Sequence, residues 1–297
     1  MKHLLNTLDL KVPEIEKIFR RAASLKKERR KGRFNFSLRG KTLGMLFEKA
    51  STRTRVSFEV AMNELGGAAI YLESGSTQVG RGETYADTAR VLSRYLHGIM
   101  IRTFGHNIAE ELARHATIPV INGLTDLYHP CQILTDLFTV RECRKGKKIC
   151  YIGDGNNMTN SWIVLALQIG FRLSVATPKG FGPSPAVLDL CEKSGFSFLL
   201  TEDPAEAVDG ADVINTDTWF SMGQKEDEEK RRLFRPFQLN RELLKKAGPD
   251  AIVLHCLPAH RGEEITDEVM DGPQSRIWEQ AENRLHVQKA ILEMLLK

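Results

Sequence analysis

Short apolar runs alternate along this chain with stretches in which apolar residues recur every three or four positions. In the first half, KTLGMLF (41–47), AAIYL (68–72), GIMIRTF (98–104) and IPVING (118–123) read as strands. A helix opened by Pro13 carries Ile15, Ile18, Phe19, Ala22 and Leu25 at helical spacing. Another places Phe58, Ala61, Met62 and Leu65 on one face and stops at Gly66–Gly67. Residues 83–97 form a third helix, and a long one runs from about Pro130 to Cys143. A second series repeats the pattern: KKICYIG, RLSVAT, FSFLL, ADVINT and AIVLHCL as strands, NSWIVLALQIG and PSPAVLDLCEKSG as helices. Such alternation predicts an α/β fold with mainly parallel sheets flanked by helices. Two series predict two domains, parted near 138–147.

Composition narrows the picture. At 297 residues with 42% hydrophobic positions, the chain has room for one large or two medium domains. The run WIVLALQIGF is far too short to span a bilayer, so no membrane role is expected, nor is a secretory or transit segment. A net charge of +4 is small beside 42 basic and 38 acidic side chains, which excludes a nucleic-acid partner but suits a small anionic substrate. The basic stretch KKERRKGR (26–33) reads as a solvated helix end, and QKEDEEKRR (224–232) as an exposed loop. Five cysteines, with no C-x-x-C spacing, argue against a disulfide framework or structural zinc and for a reducing, cytoplasmic setting.

Ligands of open α/β sheets bind beyond the carboxyl ends of the strands. There this chain places STRTR after the first strand, Arg102 in the third, LYHPCQ after the fourth, then DGNN, DTWFSMG and CLPAHRG in the second series. In FEKASTRTRVSFEV (47–60), Ser51 is a plausible N-cap and Thr52, Arg53 and Thr54 the first turn. Free N–H groups there favour an anion, hydroxyls add donors, and arginine offers a fork matched to phosphate.

STRTRVSFE, HPCQILTDLFT, DTWFSMGQ, HCLPAHRG and AENR together closely resemble the ornithine carbamoyltransferase family, in its order and spacing and over essentially the whole chain. The resemblance implies transfer of a carbamoyl group from carbamoyl phosphate to ornithine, giving citrulline and phosphate, without metal or cofactor. It implies a carbamoyl-phosphate cradle of Ser51, Thr52, Arg53, Thr54, Arg102, His129, Gln132 and Arg284, with Gln78 contributed by a neighbouring subunit of a homotrimer. It implies ornithine ligands Asn157, Asp217, Ser221, Met222, Cys256 and Leu257, lying between the domains, and a catalytic group of Cys256, Arg102 and His129. Arg284, in AENR, resembles the family arginine that returns to carbamoyl phosphate, which implies that residues 276–297 rejoin the first domain, making it 1–138 plus 276–297 with 139–275 as the ornithine-binding domain. Two interdomain helices would link them.

Other readings compete. IGDGNN after a strand resembles the turn of an NAD-dependent oxidoreductase, but Met158 stands where the third glycine belongs and VATPKG supplies no acid for a ribose. His255 adjoins Cys256, yet successive strand side chains point to opposite faces, so neither a cysteine hydrolase nor a zinc site with His260 is expected. Among amines, aspartate is disfavoured by SMG and HCLP; putrescine ranks second and N-acylated ornithines third. The loop from Ser221 to about Phe237 is expected to close over ornithine.

Overall fold

A computed structural model describes residues 2–73, 75, 82–220 and 227–297. The chain divides into two compact units, 1–135 with 282–297, and 136–281.

The first unit runs α1 (Val12–Arg30), β1 (Thr42–Phe47), α2 (Thr52–Glu64), β2 (Ala68–Glu73), α3 (Tyr85–Tyr95), β3 (Gly98–Arg102), α4 (His106–His115) and β4 (Val120–Leu124), then enters α5 (Pro130–Glu142). Its four strands are parallel in the order β2-β1-β3-β4. Every residue of β3 is buried, as expected of a strand covered on both faces. The second unit runs β5 (Lys148–Ile152), α6 (Asn157–Ile169), β6 (Arg172–Ala176), α7 (Pro185–Ser194), β7 (Leu199–Thr201), α8 (Pro204–Val208), β8 (Val213–Thr216), α9 (Glu228–Phe234), α10 (Arg241–Leu244), β9 (Ile252–His255) and α11 (Asp267–Met270). Its parallel sheet has the order β7-β6-β5-β8-β9. The last helix, α12 (Ile277–Leu296), starts in the second unit and ends in the first, while α5 runs the other way. This is the two-domain α/β fold, with parallel sheets flanked by helices, that the pattern predicts.

Two charged stretches depart from expectation. The basic tail 26–33 is not simply solvated: Lys26 is buried, with its Nζ donating to Asn283 Oδ1 at 2.7 Å. Arg29 reaches Glu64 of α2 at 2.7 Å, and Lys289 of α12 meets the same carboxylate at 2.8 Å. The block 224–232 is not wholly an exposed loop either. Residues 227–232 enter α9, where Asp227 caps Glu229 N–H at 3.0 Å while Lys230 and Phe234, one turn apart, are buried. The density of charge hides this apolar-facing stripe.

The return of α12 to the first unit is anchored at Glu293, which accepts from Arg21 of α1, from Asn35 at 3.1 Å and from Ser37 at 2.5 Å. Burial raises the pKa of this carboxyl, but the donors around it, Arg21 foremost, outweigh burial and hold it down to about 2. A depressed folded-state pKa adds stability above the ordinary carboxylate range, and that stability drains away as pH falls from about 4.5 to about 2. Glu293→Gln therefore lowers Tm at pH 7, and the gap to the parent closes over that acid window; a gap that stayed constant down to pH 2 in thermal melts would refute this.

Candidate active site

Each sheet reverses its strand order once, between β1 and β3 in the first unit and between β5 and β8 in the second. Ligands of doubly wound sheets bind at such switch points, beyond the carboxyl ends of the strands. Both places are polar here.

In the first unit β1 leads into α2. Ser51 has extended backbone, and its hydroxyl accepts from Thr54 N–H at 3.3 Å, as an N-cap should. Thr52 is exposed and Arg53 half-buried at the first turn, whereas Arg55 turns away to pair with Glu59 at 2.9 Å and stack on Tyr71. The two guanidiniums of STRTR thus divide: Arg53 stays with the helix start and Arg55 serves the surface.

Thr54 is buried, and its Oγ1 accepts from Arg284 Nη2 at 2.9 Å; Arg284 also donates through Nη1 to the fully buried Gln132. One guanidinium therefore joins α2, α5 and α12. Arg102 closes β3 opposite Phe47 of β1 and is buried. His129 stands just before Pro130, its carbonyl accepting from Gln132 and Ile133 N–H at 3.1 Å in the first turn of α5. Burial, with the positive charges of Arg284 and Arg102, holds the His129 pKa well below 6.5. A neutral imidazole beside fixed cations can donate to a carbonyl oxygen without adding to their mutual repulsion. Gln78 lies outside the described residues.

In the second unit the turn after β5 carries Asp154, Gly155, Asn156 and Asn157. A Cβ on Gly155 would collide with the backbone carbonyl of Gly182, so only glycine lets this turn lie against the segment after β6. The room that a dinucleotide turn keeps open for pyrophosphate is here filled by the chain itself. Asn156 caps α6, accepting from Met158 N–H at 2.9 Å, and its Nδ2 donates to Asp217 Oδ2 at 3.1 Å. Asp217, just past β8, accepts the Cys256 thiol proton on Oδ1 at 2.9 Å. Asn156, Asp217 and Cys256 thus form one polar chain across the ends of β5, β8 and β9.

Asn157 is the first residue of α6 and is half-buried, with its carbonyl accepting from Ser161 Oγ at 2.6 Å inside the helix. Pattern reading misses Asn156; of two adjacent asparagines, the N-cap is the one that bonds to Asp217. Leu257 follows with φ +62° and donates its N–H to His255 Nδ1 at 2.9 Å. Ser221 and Met222 lie outside the described residues.

The separation expected of His255 and Cys256 does not hold. The strand ends at His255, so its alternation stops there, and donor atoms of Asp217, His255 and Cys256 lie within 4.8 Å of one another. His255 is nevertheless engaged on both nitrogens, with Nδ1 accepting from Leu257 and Nε2 facing Glu264 at 3.1 Å. It brings no spare lone pair to a metal and no base to the thiol.

Parallel sheets in two units, each with a polar cluster at its switch point, define a two-domain α/β protein with a ligand-binding end on each sheet. The family description "Aspartate/ornithine carbamoyltransferase, carbamoyl-P binding domain" matches residues 2–142, and "Aspartate/ornithine carbamoyltransferase, Asp/Orn binding domain" matches 145–295. The chain belongs to the aspartate/ornithine carbamoyltransferase family. It is 58% identical over 301 residues to an ornithine carbamoyltransferase of Syntrophus aciditrophicus, covering 99% of each chain. It is 52% identical to the anabolic ornithine carbamoyltransferase of Pyrococcus furiosus, covering 99% of this chain and 96% of the other. A solved structure of ornithine carbamoyltransferase from Pyrococcus furiosus superimposes with a TM-score of 0.94 at 51% identity, covering 99% and 97% of the two chains.

Proposed function

We propose that this protein transfers the carbamoyl group of carbamoyl phosphate to the side-chain amine of L-ornithine, giving L-citrulline and phosphate, in the anabolic direction of arginine metabolism. The observation that carries the reading is end-to-end identity of 58% with a relative named for that activity, joined to a cationic helix start on one sheet and a carboxylate–thiol pair on the other.

The residue roles are part of the proposal. The first unit takes the phosphorylated donor. Ser51, Thr52, Arg53 and Thr54 hold phosphate at the start of α2, Arg284 and Gln132 fix the cradle from behind, and Arg102 and His129 face the carbonyl oxygen. The second unit takes the amino acid through Asp217, Asn157, Ser221 and Met222, with Cys256 and Leu257 beside the reacting amine. A lysine-like amine has a pKa of about 10.4, so at pH 7 only about 1 in 2,500 molecules is neutral, a cost of about 4.6 kcal/mol.

The neutral nitrogen attacks the carbonyl carbon, and the oxyanion of the tetrahedral intermediate is held by Arg102, His129 and Thr54. The carbon–oxygen bond to phosphate then breaks, and phosphate leaves into the cradle. The amine proton passes to the Cys256 sulfur as the thiol proton moves to Asp217. This scheme uses no metal or cofactor. A homotrimer with Gln78 reaching a neighbour's cradle, and a cytoplasmic location, complete the proposal.

The test is direct. Purified protein is given carbamoyl phosphate with L-ornithine, putrescine, L-aspartate or N-acetylornithine, and the ureido product is measured. Citrulline forms at least about 100-fold faster than any other product, because putrescine leaves the groups meant for the α-substituents unpaired. Faster carbamoylation of another amine would overturn the reading.

A further inference from the structure

We propose that Lys230 is a positioning residue for the amino-acid half of the site: its ion pair with Asp154 fixes the turn that holds Asn156 against Asp217. The inference rests on the function proposed above and extends it to a side chain of α9 outside the family motifs already quoted.

Lys230 is buried, and its Nζ lies 2.8 Å from Asp154 Oδ2. The rings of Phe181, Phe220 and Phe234 stand 5.0, 5.3 and 5.0 Å from the same nitrogen. An ammonium held among three aromatic faces and one carboxylate is shielded from water on most sides, and both ions are desolvated, so each depends on the other. Burial raises the Asp154 pKa from its ordinary value, Lys230 pulls it back down, and the charge of Asp217 adds to the rise.

The connections lead to the reacting groups. The Asp154 carbonyl accepts from Thr159 Oγ1 at 2.7 Å, tying the turn to α6. Gly155 N–H donates to Phe181 O at 2.8 Å, and Phe181 is one of the three rings around Lys230. Asn156, the next residue, holds Asp217, and Asp217 holds Cys256. The chain Lys230–Asp154–turn–Asn156–Asp217–Cys256 runs wholly within the second unit. If Lys230 were there for stability alone, a well-packed apolar side chain would serve as well among these rings.

The experiment compares the parent enzyme with Lys230→Met, Lys230→Arg and the double variant Asp154→Asn/Lys230→Met. Methionine keeps an unbranched stem and removes the charge. Lys230→Met raises the KM for ornithine about tenfold or more and leaves the KM for carbamoyl phosphate within about twofold, since the displaced turn touches only the amino-acid half. Without the ammonium, Asp154 takes up its proton at higher pH, so the acid limb of kcat/KM for ornithine moves upward. Lys230→Arg recovers part of the loss. The double variant, with no uncompensated buried charge, regains thermal stability but keeps the high KM for ornithine.

An ornithine KM within twofold of the parent, both KM values rising together, or a double variant that recovers its ornithine KM along with its Tm would each overturn the proposal. A parent enzyme that makes no citrulline defeats the functional reading and this inference with it. An active parent with an unaffected Lys230→Met defeats the inference alone.

Discussion

Arg102→Met lowers kcat for citrulline formation by about 10²–10³, the loss that follows removal of one preorganised donor to a developing oxyanion. The position explains the size. Arg102 is the last residue of a strand whose every position is buried, paired in register with Phe47, so its guanidinium is placed by the sheet before any ligand arrives. Its charge already acts on His129, whose low pKa it helps to maintain. Burial makes such a charge worth more than it is at the surface.

A lysine in its place supplies a point charge without the planar fork, so Arg102→Lys recovers only part of the rate. Steady-state kinetics at saturating substrates check this; a methionine variant within threefold of the parent would remove Arg102 from the transition state.

Cys256→Ala lowers kcat by about 10²–10⁴, the range of a lost general base, and changes the pH dependence of kcat. The thiol is bonded to Asp217 at 2.9 Å, so a proton arriving at sulfur has a carboxylate waiting for the next one. Alanine removes the relay and leaves Asp217 in place. Serine keeps a hydroxyl that can take a proton on oxygen while passing its own to Asp217, so Cys256→Ser recovers part of the rate that alanine loses. Asp217→Asn weakens both ornithine binding and turnover. An alanine variant with unchanged kcat and unchanged pH profile would rule out this role for the thiol.

Much of this was legible in the residues. The apolar runs mark all nine of the described strands, because parallel strands are apolar throughout, and Ser51 announces the start of α2 by its type and place. The segment 106–115 also carries its signal in the residues: α4 packs Ile108, Ala109, Leu112 and Ala113 inward at helical spacing, although no element is assigned to it from the sequence pattern. Lys230 was hidden, since nothing in a run of charges says which one the fold will bury. Asn156 was masked by its neighbour, because only geometry tells a cap from the first helical residue. The proximity of Cys256 to His255 follows from where the strand stops, which pattern alone places only to within a residue or two.

Arg284 bonds to Thr54, 230 positions earlier in the chain. Because a pairing across so long a stretch carries a large loop-closure cost, the proposed phosphate cradle is finished only after the two ends of the first unit meet.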